Sequence, residues 1–194
     1  MALHSFLTWN KAWSYSDTPV ETPVNSGSRL ACSIYGTISN ILPKACLQVC
    51  RNSTNGVDCL AYLKMLKLEV AKYTDQKLNL ILDNHAAHKS ILHGTKSFLE
   101  ENFILHWLPP GSPQLNSIEI YWGTYKMKFR KLLQVNPSAN WTQEMFEERV
   151  MQVGNSFTEE ETGNFLRANH SYMLQLLERF PEEDDRMASP TQSE

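Results

Sequence analysis

The chain has 194 residues, 42% of them hydrophobic and 20% charged, with a formal net charge of −3. Such a length and composition suit one soluble globular domain with a substantial core, and the net negative charge argues against a chain built mainly to bind nucleic acid. No apolar run approaches the ~20 residues needed to cross a bilayer, and no basic region followed by an apolar core marks a signal peptide. A nuclear or cytoplasmic location is therefore expected rather than a secreted one, and the Asn-x-Ser/Thr triplets at Asn52, Asn140 and Asn169 carry little weight.

Residues 1–28, with Trp9 and Trp13 followed by Ser/Thr/Pro-rich sequence, read as an irregular segment, a loop or a poorly paired edge. Residues 29–39 are rich in β-branched and aromatic side chains and predict a strand; 45–51 predict its antiparallel partner, with 40–44 as the turn. Residues 56–73 carry apolar positions at Leu60, Leu63, Met65, Leu66, Leu68 and Val70, a spacing that predicts an amphipathic helix. A central strand is expected over 77–82, ending at Asp83. A helix is expected over 88–101, a short strand over 103–107 and a helix over 116–133. Two further helices are expected over 142–155 and 158–179. The sequence from Pro181 reads as a disordered acidic tail. Strands first, then alternating helices and strands, give an α/β sheet with helices on its faces. The expected organisation is an irregular segment 1–28, a core 29–141, C-terminal helices 142–180 and a tail 181–194.

The average charge hides an asymmetry. Residues 1–141 hold 14 Lys/Arg against 9 Asp/Glu, a balance of +5, whereas residues 142–194 hold 4 against 12, a balance of −8. The first part can face a phosphate backbone and the second repels one, which marks a change of role near residue 142. Cys32, Cys46, Cys50 and Cys59 have no zinc-ligand spacing and read as buried free thiols of a reducing compartment. His85, His88 and His93 are close in sequence, but no Cys and no second His pair completes a zinc site around them.

Two segments carry the chemistry. Leu80-Ile81-Leu82-Asp83-Asn84-His85-Ala86-Ala87-His88-Lys89-Ser90 reads as an apolar strand that ends on a carboxylate. Leu108-Pro109-Pro110-Gly111-Ser112-Pro113-Gln114-Leu115-Asn116-Ser117-Ile118-Glu119-Ile120-Tyr121-Trp122 reads as a Pro/Gly-rich loop that opens a helix with a second carboxylate in its first turn. Two acids so placed can approach in space although 35 residues lie between them. A phosphoryl-transfer site with two Mg²⁺ needs such pairs. Each acid also has a plain structural reading. Asp83 can close a turn with Asn84. Glu119 can complete a capping box with Asn116 as N-cap, where its charge stabilises the helix by ~0.3–1 kcal/mol. Trp122 reads as core. Lys126, Lys128, Arg130 and Lys131 form a basic run that is either a solvated face or a phosphate contact, with a nuclear targeting signal as a third reading.

These strings resemble the second and third acid blocks of mariner-type DDE transposases, members of the ribonuclease H-like, integrase-like superfamily. Asp83, Asn84, His88, Lys89, Ser112, Pro113, Leu115, Asn116, Ile118, Glu119 and Trp122 match the family pattern; Ser117 stands where it usually has Pro. The likeness extends more weakly over about residues 5 to 150. It implies a ribonuclease H-like mixed sheet flanked by helices. It also implies a metal-dependent DNA cleavage and strand-transfer chemistry, with Asp83 and Glu119 as catalytic and Mg²⁺- or Mn²⁺-binding residues and Asn84, His88, Asn116 and Lys126 at the substrate. The partners it implies are DNA and a second copy of the chain or a related full-length transposase, with no membrane.

The family's first Asp lies on the opening strand of the fold. The equivalent stretch here, Met-Ala-Leu-His-Ser-Phe over residues 1–6, holds no acid. The expectation is a chain truncated within the catalytic domain, lacking the first strand and any N-terminal helix-turn-helix module. It would bind cations weakly and be impaired in catalysis. An active enzyme would need the missing acid from Asp17, Asp58 or another chain. A third reading is a non-enzymatic interaction scaffold derived from a transposase, whose acidic C-terminal region engages a basic partner.

Overall fold

A computed structural model describes residues 2–4, 30–51, 55–90, 96–135 and 141–179. Asp17, His93 and the acidic tail lie outside the described residues.

Three strands form an antiparallel sheet in the order β1 (Ala2–His4), β2 (Ala31–Thr37), β3 (Cys46–Cys50). Within the segment expected to be irregular, β1 is a short strand: Ala2 opposes Ser33, Leu3 opposes Cys32 and His4 opposes Ala31. The β2–β3 register runs from Ser33 opposite Cys50 to Thr37 opposite Cys46. Side chains of a strand alternate between the two faces of its sheet, and both faces of this one are covered. Leu30, Cys32 and Ile34, with Leu47 and Val49 of β3, join one core cluster; Tyr35, with Cys46 and Cys50, joins the other.

Helix α1 (Gly56–Val70) covers the second face. Asn55 is its N-cap, the side chain accepting from the Asp58 amide at 3.0 Å, which satisfies one of the first-turn donors. Its buried stripe is Cys59, Tyr62, Leu63, Leu66 and Val70. Leu68, expected among the apolar positions, is 72% exposed. It lies off the i, i+3, i+4, i+7 row that Cys59, Tyr62, Leu63 and Leu66 define. The same cluster takes in β4 (Leu78–Leu82) and β5 (Phe103–Trp107), which pair in parallel from Leu78 opposite Phe103 to Leu82 opposite Trp107. Leu78, Leu80 and Leu82 point inward, while Asn79 and Ile81 are exposed. Between these strands, where a helix is expected over 88–101, the described residues form α2 (Ala86–Ser90) and α3 (Lys96–Asn102), and 91–95 lie outside them.

The opposite face carries α4 (Ser117–Val135), α5 (Gln143–Asn155) and α6 (Glu159–Arg179). Tyr121, Trp122, Tyr125 and Phe129 form the buried stripe of α4 and meet Phe146, Val150, Val153 and Phe157. Tyr121 lies 4.5 Å from Phe157 between ring centroids, and Phe129 meets Phe146 edge-on at 5.7 Å. The Tyr125 hydroxyl donates to the Val150 carbonyl. Trp122 is core, as its place in the helix predicts. Its indole lies so close over Gly36 of β2 that a Cβ there would come within 2.5 Å of Cη2. The absent side chain at position 36 lets α4 seat on the sheet.

A mixed α/β arrangement results, sheets flanked by helices, as the ribonuclease H-like reading expects. No described helix is long and apolar enough to cross a membrane.

Candidate functional site

Asp83 is the first residue beyond β4, where the chain leaves the sheet. Its Oδ1 accepts from the His85 amide at 3.0 Å and lies 2.7 Å from His88 Nδ1. The first contact closes an Asx-type turn ahead of α2. In the second, an ionised carboxylate only accepts, so the imidazole donates through Nδ1. The His88 ring is 5.7 Å from that of His85 and 6.4 Å from that of Tyr35. Tyr35 is itself fixed, stacking on Tyr62 at 5.4 Å and donating from its hydroxyl to the Asn55 carbonyl at 2.9 Å.

Asn84 ties the exit of β4 to the exit of β5. Its Nδ2 donates to the Leu108 carbonyl, while the Leu108 amide donates to the Leu82 carbonyl at 2.9 Å. This double link fixes where the loop leading to the second acid begins. Gly111 in that loop has φ +71°, a left-handed conformation that favours glycine. A 3₁₀ turn follows at Pro113–Leu115, with the Leu115 amide bonded to Ser112 O and the Asn116 amide to Pro113 O.

Glu119 then lies in the first turn of α4, its amide donating to the Asn116 carbonyl at 3.0 Å. The helix does start after Asn116, but the capping-box side-chain bonds expected between Asn116 and Glu119 are absent among the described residues. Glu119 projects as an exposed carboxylate. Lys126 is half-buried two turns further along α4. The basic run around it is divided. Lys131 is exposed, whereas Lys128 bonds both carboxylate oxygens of Glu161 at 2.9 and 3.1 Å and sits 3.8 Å above the Phe157 ring. Lys128 therefore secures α6 to α4.

Asp83, Asn84 and His88 are brought together at one end of the β4–β5 sheet, and Asn116 and Glu119 stand at the loop–helix junction that follows β5. Sequence reading missed two fixing residues. Tyr35 was seen only as part of a strand. Asn169 was seen only as part of an Asn-x-Ser triplet, yet its side chain is buried and bonds to the loop before α4. An Asn on a helix gives no local sign of a partner more than 50 positions away.

A centre with two divalent metals holds them about 3.5–4 Å apart between shared oxygen ligands. Among the described residues no group of three or more His, Cys, Asp or Glu side chains is placed to hold a metal ion. Asp83 and Glu119 are the carboxylates of the two acid-bearing strings, and Oδ1 of Asp83 already accepts from His88 and His85. Strand β1 carries Ala2, Leu3 and His4 and no carboxylate. Among the described residues, this donor set does not fit a two-metal centre.

The four cysteines are free, with Cys32 and Cys59 buried and Cys46 and Cys50 partly so. Burial pushes the Cys32 thiol up to about 12 and those of Cys46 and Cys59 up to about 11, so they are protonated at neutral pH.

No curated protein matches the chain. Residues 4–137, well over half its length, match the model of a family described as DDE superfamily endonuclease, and the matched stretch contains both Asp83 and Glu119. The chain belongs to the DDE superfamily endonucleases.

Proposed function

We propose that this is a transposase-derived, mariner-type DDE domain that binds DNA, with its ancestral metal-dependent cleavage and strand transfer impaired. The observation that carries the reading is the placing of the acids. Asp83 ends a strand whose exit is tied to the neighbouring strand, and Glu119 opens the helix that follows that strand. Ligands of α/β sheets gather at the carboxyl ends of strands. Asn84 and His88 act here by fixing the Asp83 turn. Asn116 precedes Glu119 in the same turn and Lys126 follows it two turns along α4, and they supply polar and positive contacts to a phosphate backbone. The impairment follows from the donor set: Asp83 and Glu119 hold at most one Mg²⁺ or Mn²⁺ loosely, and the paired ions of an in-line displacement need more oxygen ligands.

The test is nicking and strand transfer on a labelled DNA duplex with Mg²⁺ and with Mn²⁺, beside an Asp83→Asn control, together with fluorescence anisotropy of the same duplex. Salt-dependent DNA binding without cleavage is the expected result. Cleavage that disappears in Asp83→Asn overturns the impairment and calls for a third acid from Asp17, Asp58 or a second chain. A folded chain that neither binds nor cleaves DNA overturns the reading and leaves the scaffold.

A further inference from the structure

We infer that Asn169 of α6 is a positioning residue for the second acid, a clamp that fixes the loop delivering Glu119. Its residue exposure is 1%. Its Oδ1 accepts from the Ser117 hydroxyl at 2.9 Å, and its Nδ2 donates to the Gln114 carbonyl at 2.9 Å. One carboxamide thus grips the 3₁₀ turn and the first residue of α4 together. Glu119 lies two residues beyond Ser117, its amide bonded to Asn116 O between the two gripped positions.

The chemistry suits a clamp. A buried carboxamide costs free energy unless both its ends are paired, and here they are. Asn is neutral, so it fixes the loop without adding charge beside a carboxylate. A leucine of similar size would leave the Gln114 carbonyl and the Ser117 hydroxyl unpaired. The loop has little else to hold it on this side: Pro113 and Gln114 are exposed, and its remaining bonds are local, Leu115 N to Ser112 O and Asn116 N to Pro113 O. The two acids are therefore fixed from different places. Asp83 is held by neighbours close in sequence and by β5. Glu119 is held from a helix outside residues 4–137, the stretch that matches the family. The functional importance of the clamp rests on the reading of Glu119 given above; its existence does not.

The experiment is amide hydrogen exchange on the full chain, comparing the wild type with Asn169→Ala, Ser117→Pro, the double variant, and a Thr162→Ala control. Thr162 is a second buried polar residue of α6, its hydroxyl bonded to the carbonyl of Thr158, the residue just before its own helix. Proline is tolerated at the first position of a helix. Asn116 is extended, with φ −103° and ψ 104°, as a residue before proline prefers.

Asn169→Ala is expected to raise exchange at residues 114–120 at least tenfold while β4 and α1 stay protected. Ser117→Pro in the same chain should restore most of that protection, because it stiffens the loop without the clamp. Thr162→Ala should leave residues 114–120 unchanged. Should Asn169→Ala fail to fold, Asn169→Asp keeps the volume and the acceptor for Ser117. It sets a carboxylate oxygen against Gln114 O and should loosen the turn alone. Exchange that rises evenly along α4 and α6, or equally in Thr162→Ala, makes Asn169 an ordinary core residue and overturns the proposal. A chain that fails to bind DNA but shows the local effect refutes the function and leaves the clamp standing.

Discussion

The two faces of the β1–β3 sheet are built differently. On the α4–α5 face the core is aromatic: Tyr121, Tyr125, Phe129, Phe146 and Phe157 are almost fully buried, and their rings meet at 4.5 to 6.2 Å. On the α1 face the core is largely aliphatic, and it runs out to a two-stranded sheet whose far side leaves Ile81 51% and Ile104 47% exposed. Asp83 and His88 belong to this second region. The candidate site straddles the two regions, because Glu119 opens α4, the helix of the aromatic face. Fully buried aromatics contribute most per residue to holding a fold, and the strand ends where a ligand would bind lie beside the more open core.

Deleting a ring from the aromatic face gives the largest break in this comparison. Phe129→Ala should lower unfolding free energy by about 3–5 kcal/mol, the cost of lost transfer plus the cavity, measured by denaturant titration. Leu80→Ala in the aliphatic core should fall near the lower end of the 2–5 kcal/mol range, since that region relaxes more readily; equal costs would remove the distinction. Gly36→Ala comes next. A methyl group there meets the Trp122 indole and Leu47, and overpacking of this kind costs about 1–3 kcal/mol. Trp122→Phe in the same chain should recover part of the loss, which a mere change in strand propensity would not allow.

Acid and alkali probe the fold by charge. The Thr158 amide and then Lys128 hold the Glu161 carboxyl below its ordinary 4.5. A carboxylate with a lowered folded pKa stabilises the fold above its unfolded value and loses that contribution as pH falls through the folded one. The melting temperature should therefore drop below about pH 4.5, and Glu161→Gln should flatten part of that slope; the group is partly exposed, so the effect is modest. At the other end, thiols raised to about 11 and 12 favour the folded chain only while protonated, so stability should decline as pH rises beyond the ordinary thiol value of 9. The smallest expected change is Tyr121→Phe. Among the described residues the buried Tyr121 hydroxyl has no hydrogen-bond partner. Removing it should leave stability unchanged or raise it by up to about 1 kcal/mol, and a clear loss would reveal a hidden acceptor in the aromatic core.

Much of this was legible in the sequence because it is local. The β-branched and aromatic run 29–39, the apolar stretch 77–82 before Asp83 and the apolar spacing within 56–73 each declare their element. Asp83 and Glu119 were legible by the strings around them. What escaped reading depends on long-range pairing. Lys128 reads equally as a solvated face or a phosphate contact, and only the fold puts Glu161 beside it. Nothing local marks Gly36 as the seat of Trp122, and Leu68 belongs to the apolar period although the helix turns it to solvent. The short strand β1 was hidden for a related reason: three residues carry no period, and only pairing with Ala31–Ser33 makes them a strand.

The cover that α5 and α6 give to α4 also bears on how this protein can be handled in the laboratory. A fragment cut at residue 137, the end of the family match, would keep both acids but lose Phe146, Val150 and Phe157. The rings of Tyr121, Tyr125 and Phe129 would then lose the cover of α5 and leave a greasy strip along α4, a surface that invites clumping. The smallest piece worth expressing therefore runs to the end of α6, and insoluble shorter fragments would reflect a badly placed cut rather than a protein unable to fold.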